Sequence, residues 1–244
     1  MFLAYNIIEK KKYAIKIVQL TKLRRILTSK NTTGVDSLKT EIVIMKKLKH
    51  KHLVKLYEVI GDQGDDKIYI VTEYMKNGSL ISIMEKDSLD DNQIWNYFRH
   101  MVLGLEYCHS YANICHRDIK PENMLIGNKG ELKISDFGIS SIIENGNDSL
   151  QNTAGSNFYF SPELTKGSSY KGKGTDIWAL GVTLYQMIHK KYPFDGKTFP
   201  ELYNHIQNNE PQYKSTLEPN LIQLLNGILE KDPEKRFTIK DIRQ

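Results

Sequence analysis

Two kinds of hydrophobic spacing divide this chain. Near the start, apolar residues fall at alternate positions or in short runs. Phe2–Tyr5 and Tyr13–Val18 therefore read as strands, with the polar stretch Asn6–Lys12 as the turn between them. Leu38, Ile42, Met45 and Leu48 then recur at three- and four-residue steps, which predicts a helix. Leu53–Ile60 and Lys67–Glu73 read as two further strands around the turn-forming run Gly61-Asp62-Gln63-Gly64-Asp65-Asp66. After Gly78 the period changes. Ile94, Phe98, Met101, Val102, Leu105 and Cys108 mark one face of a long helix. Trp178–Ile188, Pro200–Asn208 and Leu221–Leu229 read as further helices, and Leu132–Ser135 as a short strand. The expectation is an α+β chain: a small strand-rich lobe, then a larger helical one, with no repeat and no low-complexity linker.

Composition narrows the class. With 244 residues, 40% hydrophobic and 26% charged, the chain is neither collagen, nor a disordered tail, nor a disulfide-stapled mini-protein. Cys108 and Cys115 are the two cysteines, too few for a disulfide framework. The pairs Cys108-His109 and Cys115-His116 fit none of the usual zinc spacings. No apolar run reaches the roughly 18 residues of a membrane helix, and no secretory signal is read at the start. The expected address is the cytoplasm, with the nucleus as the alternative, and no membrane partner is expected. Charge is uneven. Met1–His52 holds 13 Lys/Arg against 3 Asp/Glu, a local +10, so the remainder carries −5 of the net +5. Without aromatic interleaving, that basic end reads as a solvated face, and no nucleic-acid partner is expected.

The densest chemical signal is His116-Arg117-Asp118-Ile119-Lys120-Pro121-Glu122-Asn123. Asp136-Phe137-Gly138 follows the strand at Leu132–Ser135, and Ser161-Pro162-Glu163 comes later. Upstream, Tyr13-Ala14-Ile15-Lys16 lies in a strand and Glu41 on the first helix. Singly these are weak: Asp-Phe-Gly is a common turn, and a lone Lys or Glu is usually solvated. Together, and in this order, they resemble the protein-kinase signature set over nearly the whole chain.

The resemblance implies a bilobal fold, with a small lobe over residues 1–74 and a large lobe over 75–244. It implies ATP and Mg²⁺ as reactants. Asp118 would orient the substrate hydroxyl and accept its proton, and Lys120 would contact the γ-phosphate, as in serine/threonine kinases. Asn123 and Asp136 would hold the metal. Lys16, positioned by Glu41, would pair with the α- and β-phosphates. Ala14 above and Leu125 below would sandwich adenine, whose edge would meet backbone groups of Glu73 and Met75, with Thr72 at the back of the pocket. Ser156 would stand beside Asp118 and Lys120. Arg117 would be available to a phosphate on the activation loop, for which Thr153 is the first candidate acceptor and Ser149 and Ser156 are alternatives. Asp176 would hold the catalytic-loop backbone, and Glu163 would pair with Arg236.

Asp148–Ser156, Leu23-Arg24-Arg25 and the run Glu41–Leu48 look most like the calcium/calmodulin-dependent protein kinase kinases and related upstream activating kinases. That likeness implies protein substrates, including another kinase's activation loop. The insert between Lys16 and Glu41 lacks that branch's prolines, Thr72 is smaller than its bulky counterpart, and no residue present supports calmodulin regulation. The family's Gly-x-Gly-x-x-Gly phosphate loop is missing: Gly172 and Gly174 form the one Gly-x-Gly here. The chain is therefore read as N-terminally truncated, beginning inside the family's second strand and lacking the extreme C-terminal end. Two functions follow from this: a serine/threonine kinase, or a weak or inactive kinase-fold module that binds nucleotide or partners.

Overall fold

The computed structural model describes residues 1–26, 33–61, 65–143, 146–151, 153–167 and 169–243. Its first turn is built by one side chain. Asn6 Oδ1 accepts the N–H groups of Ile8 (2.9 Å) and Glu9 (3.0 Å), and Lys10 at φ +51° completes the reversal. Strands β1 (Phe2–Asn6) and β2 (Lys11–Gln19) then pair antiparallel, with Leu3 opposite Ala14. A short helix α1 (Leu20–Arg24) precedes α2 (Gly34–Lys47). The Asp36 carboxylate fixes the start of α2 by accepting both the Thr33 N–H and its hydroxyl. Leu38, Glu41, Ile44 and Met45 form the buried stripe of α2.

Strands β3 (Leu56–Ile60) and β4 (Lys67–Glu73) complete a sheet of order β1-β2-β4-β3. The expected strand at Leu53 starts three residues late. Residues 52–54 leave this sheet to pair with the large lobe: Val54 N–H donates to Ile134 O, and Ile134 N–H to His52 O, each at 2.9 Å. Of the turn expected at 61–66, residues 62–64 lie outside the described residues.

The large lobe opens with α3 (Leu80–Lys86) and α4 (Asp91–Glu106), the latter capped reciprocally by Asp90 and Gln93. The helix expected to continue to Cys108 widens at Tyr107 into a π-helical turn, Tyr107–Ala112. That turn buries Cys108 and His109. Short strands follow: β5 (Ile114–Cys115), β6 (Met124–Ile126), β7 (Leu132–Ile134), β8 (Ser141–Ile142) and β9 (Ser149–Leu150). The pairs are β5–β8, β6–β7 and, after α5 (Pro162–Thr165), β9 with β10 (Tyr170–Lys171).

Helix α6 (Gly172–His189) begins six residues before the expected Trp178. Its first five residues, Gly172-Lys173-Gly174-Thr175-Asp176, are glycine or polar, so the apolar run that marks the helix begins only at Ile177. Its first residue is a glycine because a Cβ there would stand 2.7 Å from Cys115 Sγ. Helices α7 (Phe199–Asn208), α8 (Pro219–Ile228) and α9 (Ile239–Arg243) close the lobe around Trp178, Tyr185, Met101 and Leu105. Among the described residues, no helix is long and apolar enough to cross a membrane.

Where the lobes join, His52 is buried with Nδ1 donating to Leu132 O at 3.0 Å and its ring stacked on His100 at 4.1 Å. Burial, reinforced by His100, Lys51 and His50, lowers its pKa from 6.5 to about 4. Protonation is therefore easier in the unfolded chain. Stability should be full above pH 6.5 and fall as pH drops towards 4. Urea unfolding at pH 7.5 and 4.5 should show that loss, and His52→Gln should make it smaller; an equal loss in both proteins would exclude His52 as a source.

Candidate active site between the lobes

The loop 116–123 is held from below by one carboxylate. Asp176, in the first turns of α6 and 1% exposed, accepts the N–H of Arg117 (2.7 Å), the N–H of His116 (2.8 Å) and a bond from His109 Nε2 (2.8 Å). These bonds hold Arg117 at φ +71°, a conformation disfavoured for a side-chain-bearing residue. His116 is fully buried, and burial lowers its pKa, which keeps the ring neutral. A neutral ring satisfies both neighbours: Nε2–H donates to Ser135 O (3.0 Å) and Nδ1 accepts the Asp118 N–H (3.2 Å). Phe137 packs edge-on against that ring at 4.9 Å.

Around Asp118 the polar groups converge. Its Oδ2 takes Lys120 Nζ (2.7 Å) and Asn123 Nδ2 (2.8 Å), and its Oδ1 accepts from Ser156 Oγ (3.3 Å). Lys120 Nζ also donates to Ser156 Oγ at 2.8 Å. Asn123 Nδ2 also donates to Asp118 O (2.8 Å). Ser135 donates through N–H and Oγ to Asn123 O, both at 2.9 Å. Asp136, next along at φ +62°, accepts the Gly138 N–H through Oδ1 at 3.2 Å.

The small lobe brings the opposing groups. Lys16 on β2 and Glu41 on α2 form an ion pair at 2.8 Å, with Glu41 buried and Lys16 partly open. Ala14 lies opposite Thr72 in the β2–β4 ladder, and Thr72 Oγ1 donates to Ala14 O at 3.4 Å. Met75 is buried beyond β4, and Leu125 sits on β6 of the large lobe.

The loop 116–123, an ion pair between the second strand and a helix, and Asp-Phe-Gly after a short strand now stand between two lobes. The sequence matches the protein kinase domain family over residues 1–244. The chain belongs to that family. Three relatives fit the same description. One from Dictyostelium discoideum, named as a probable serine/threonine-protein kinase, is 40% identical over 241 residues, covering 95% of this chain and 33% of that protein. Serine/threonine-protein kinase GRIK1 of Arabidopsis thaliana is 36% identical, covering 97% and 60%. The calcium/calmodulin-dependent protein kinase kinase of Caenorhabditis elegans is 36% identical, covering 99% and 48%. This kinase domain thus spans between a third and three fifths of those relatives.

A protein kinase domain implies ATP and Mg²⁺ in general. The residues here fit that metal. Mg²⁺ takes one or two protein oxygens and fills the rest of its shell with phosphate oxygens and water. The Asp136 carboxylate and the Asn123 side-chain amide would supply oxygens of that kind. Among the described residues no group of three or more His, Cys, Asp or Glu gathers as a dedicated metal cage. Cys108 and Cys115 are buried, and burial pushes both thiols to high pKa.

Thr153 is exposed in the kinase domain's activation segment. The Arg117 guanidinium lies against Ile139 O (3.3 Å) and Tyr170 OH (3.0 Å). Four residues that sequence reasoning missed join the site: His109, Ser135, Tyr170 and Lys133. Lys133 Nζ reaches both carboxylate oxygens of Glu73 at 2.8 Å. The Cys108-His109 pair was noted for zinc only, and the other three carry no signal of their own.

Arg236 and Glu163 form a two-pronged pair (2.6 and 2.9 Å) that ties the segment after the activation loop to the large lobe. Arg236 also donates to Glu230 O and Gly174 O, and its guanidinium lies 5.1 Å from the Trp178 ring centre. Arg236→Met should cost about 3–5 kcal/mol by leaving Glu163 uncompensated. The Glu163→Leu/Arg236→Met double variant should lose less in urea unfolding. A double variant as unstable as the single one would locate the cost elsewhere.

Proposed function

We propose that this chain transfers the γ-phosphoryl group of Mg²⁺-ATP to Ser/Thr hydroxyls of protein substrates in a signalling cascade. The observation that carries this reading is the Asp118–Lys120–Ser156–Asn123 constellation, in which one carboxylate is shared by a cation, an amide and a hydroxyl. Asp118 Oδ1, engaged among the described residues by one long bond from Ser156, is the oxygen suited to orient a substrate hydroxyl and take its proton. Lys120, bonded to Asp118 and Ser156, offers a positive charge beside the transferring group. Lys16, held by Glu41, supplies a second cation from the opposite lobe for the non-transferring phosphates. Ala14 and Leu125 serve as the roof and floor of the adenine slot, and the backbone of Glu73 and Met75 as its edge. Bound through Asn123 and Asp136, Mg²⁺ would neutralise the triphosphate and polarise the transferring group. The name of the Caenorhabditis elegans relative, a kinase of kinases, supports another kinase as substrate.

Two variants separate the roles. Asp118→Asn should reduce phosphorylation of a generic Ser/Thr peptide by about 10²–10⁴ while retaining Mg²⁺-ATP binding. Asp136→Asn should also weaken metal-dependent nucleotide binding. Undiminished Mg²⁺-ATP affinity in both variants would count against the metal assignment.

Thr153 is proposed as a regulatory acceptor. A phosphate there adds about −1.5 to −2 charges and would draw Arg117 into pairing with it, ordering the loop. Phosphatase treatment of protein carrying a mapped Thr153 phosphate should lower the rate. An unchanged rate would remove Thr153 from regulation.

A further inference from the structure

The crossing between the lobes is gripped at both ends by one hairpin. Downstream of Met75 the grip is mostly backbone: Asn77 N–H donates to Ile126 O (3.0 Å), Ile126 N–H to Gly78 O (2.8 Å), and Ser79 bridges Leu125. The Asn77 side chain adds a bond to Gly127 O at 2.6 Å. All of these contacts are to β6 and the residue that follows it. Upstream, the partner strand of the same hairpin, β7, makes the grip with a single side chain. Lys133, paired with Leu125 across the hairpin, places Nζ at 2.8 Å from both oxygens of Glu73. Both side chains are largely buried, 13% and 23% exposed. The Glu73 backbone is held from its other side by Lys55, whose carbonyl accepts the Glu73 N–H at 2.9 Å.

We propose that Lys133 is a positioning residue for nucleotide: it closes the upstream half of this clamp and so fixes residues 73–76 over the Leu125 floor. The inference rests on the ATP reading above and adds a residue that reading does not contain. The downstream half of the clamp runs mainly through main-chain groups and survives most substitutions. The upstream half has one direct side-chain bond to the hairpin, from the Lys133 ammonium. Its other tie to β7 is indirect, through Lys55 and the backbone bond from Val54 to Ile134. Losing the ammonium leaves the Glu73 carboxylate with the long bond from the Lys55 N–H (3.4 Å) and loosens the crossing strand over β6 and β7. The adenine edge then meets backbone groups that are no longer held in place, and binding pays the ordering that Lys133 now supplies in advance. Lys133 touches no reacting atom in this arrangement, so nucleotide affinity should suffer more than the turnover of bound nucleotide.

The test compares the chain with Lys133→Met, Lys133→Arg and Glu73→Gln/Lys133→Met, using displacement of a fluorescent ATP analogue by Mg²⁺-ATP, thermal unfolding, and amide hydrogen exchange at residues 73–76. Lys133→Met should weaken nucleotide binding about fivefold, the size of one net hydrogen bond, and speed exchange at those amides. Lys133→Arg should restore most of both. The double variant should regain thermal stability, because no orphan carboxylate is left, yet keep the weak binding and fast exchange. Two results would overturn the proposal: unchanged exchange at 73–76 in Lys133→Met, or full recovery of binding in the double variant. The exchange measurement needs no nucleotide. A chain that binds no ATP but shows the expected exchange would refute the ATP reading and leave the clamp standing.

Discussion

The buried carboxylate of Asp176 is the interaction on which the rest of the site depends. Its oxygens face the backbone N–H groups of two consecutive loop residues and a histidine from the π-helical turn, so almost none of its hydrogen-bonding capacity faces water. An anion so deeply placed is tolerable only because every neighbour donates to it. That arrangement forces the backbone at Arg117 into a positive φ, and the forced turn aims Asp118 outwards while His116 points into the core. The loop thus presents one carboxylate to Lys120, Asn123 and Ser156 while another is buried beneath it. Helix α6 can carry this load because its own packing is saturated, from Thr175 through Gln186.

Within the lobes, local pattern was an accurate guide. The apolar spacing of Ile94, Phe98, Met101, Val102 and Leu105 lies on the buried face of α4, because helix periodicity depends on neighbours a few residues away. The run from His116 to Asn123 was legible for the same reason: eight adjacent residues carry most of a constellation. Longer-range partners were legible only through resemblance, as with Lys16 and Glu41, whose spacing alone says nothing about an ion pair. Lys133 was hidden because a lysine in a short strand reads as a solvent-facing position, and only the assembled lobes show Glu73 waiting there. The apolar run from Leu53 to Ile60 gave no hint that its first residues change sheets. Apolarity records burial but not which partner does the burying. The π-helical turn was missed for a similar reason, since a helical face carries no mark of where its pitch widens.

The small lobe shows how charge is spent locally. Its start carries a strong excess of Lys and Arg, yet Lys16 is the lysine there that is paired with a buried glutamate. The Glu41 carboxylate, set on the buried stripe of α2, costs desolvation that Lys16 offsets, and the pair then leaves the ammonium partly open towards the gap between the lobes. Surface lysines such as Lys22, Lys46 and Lys47 have no such partner among the described residues, and they raise solubility and the general field more than they define chemistry.

The bonds that shape the site also impose an order in time. Asp176 reaches back 60 residues to His116, Lys133 reaches 60 residues to Glu73, and Arg236 reaches 73 residues to Glu163. Each closes a long loop, an entropic charge that must be met before the contact returns anything. The hairpin β1–β2 and helix α4 satisfy themselves locally and can form early. During synthesis the loop bearing Asp118 emerges well before the residue that sets its backbone, so it stays unshaped until α6 has been made. The activation segment waits longer still, for an arginine near the end of the described chain. Catalytic geometry is therefore among the last things this chain acquires, and a nascent or partly unfolded form can hold much of its core without presenting an ordered site.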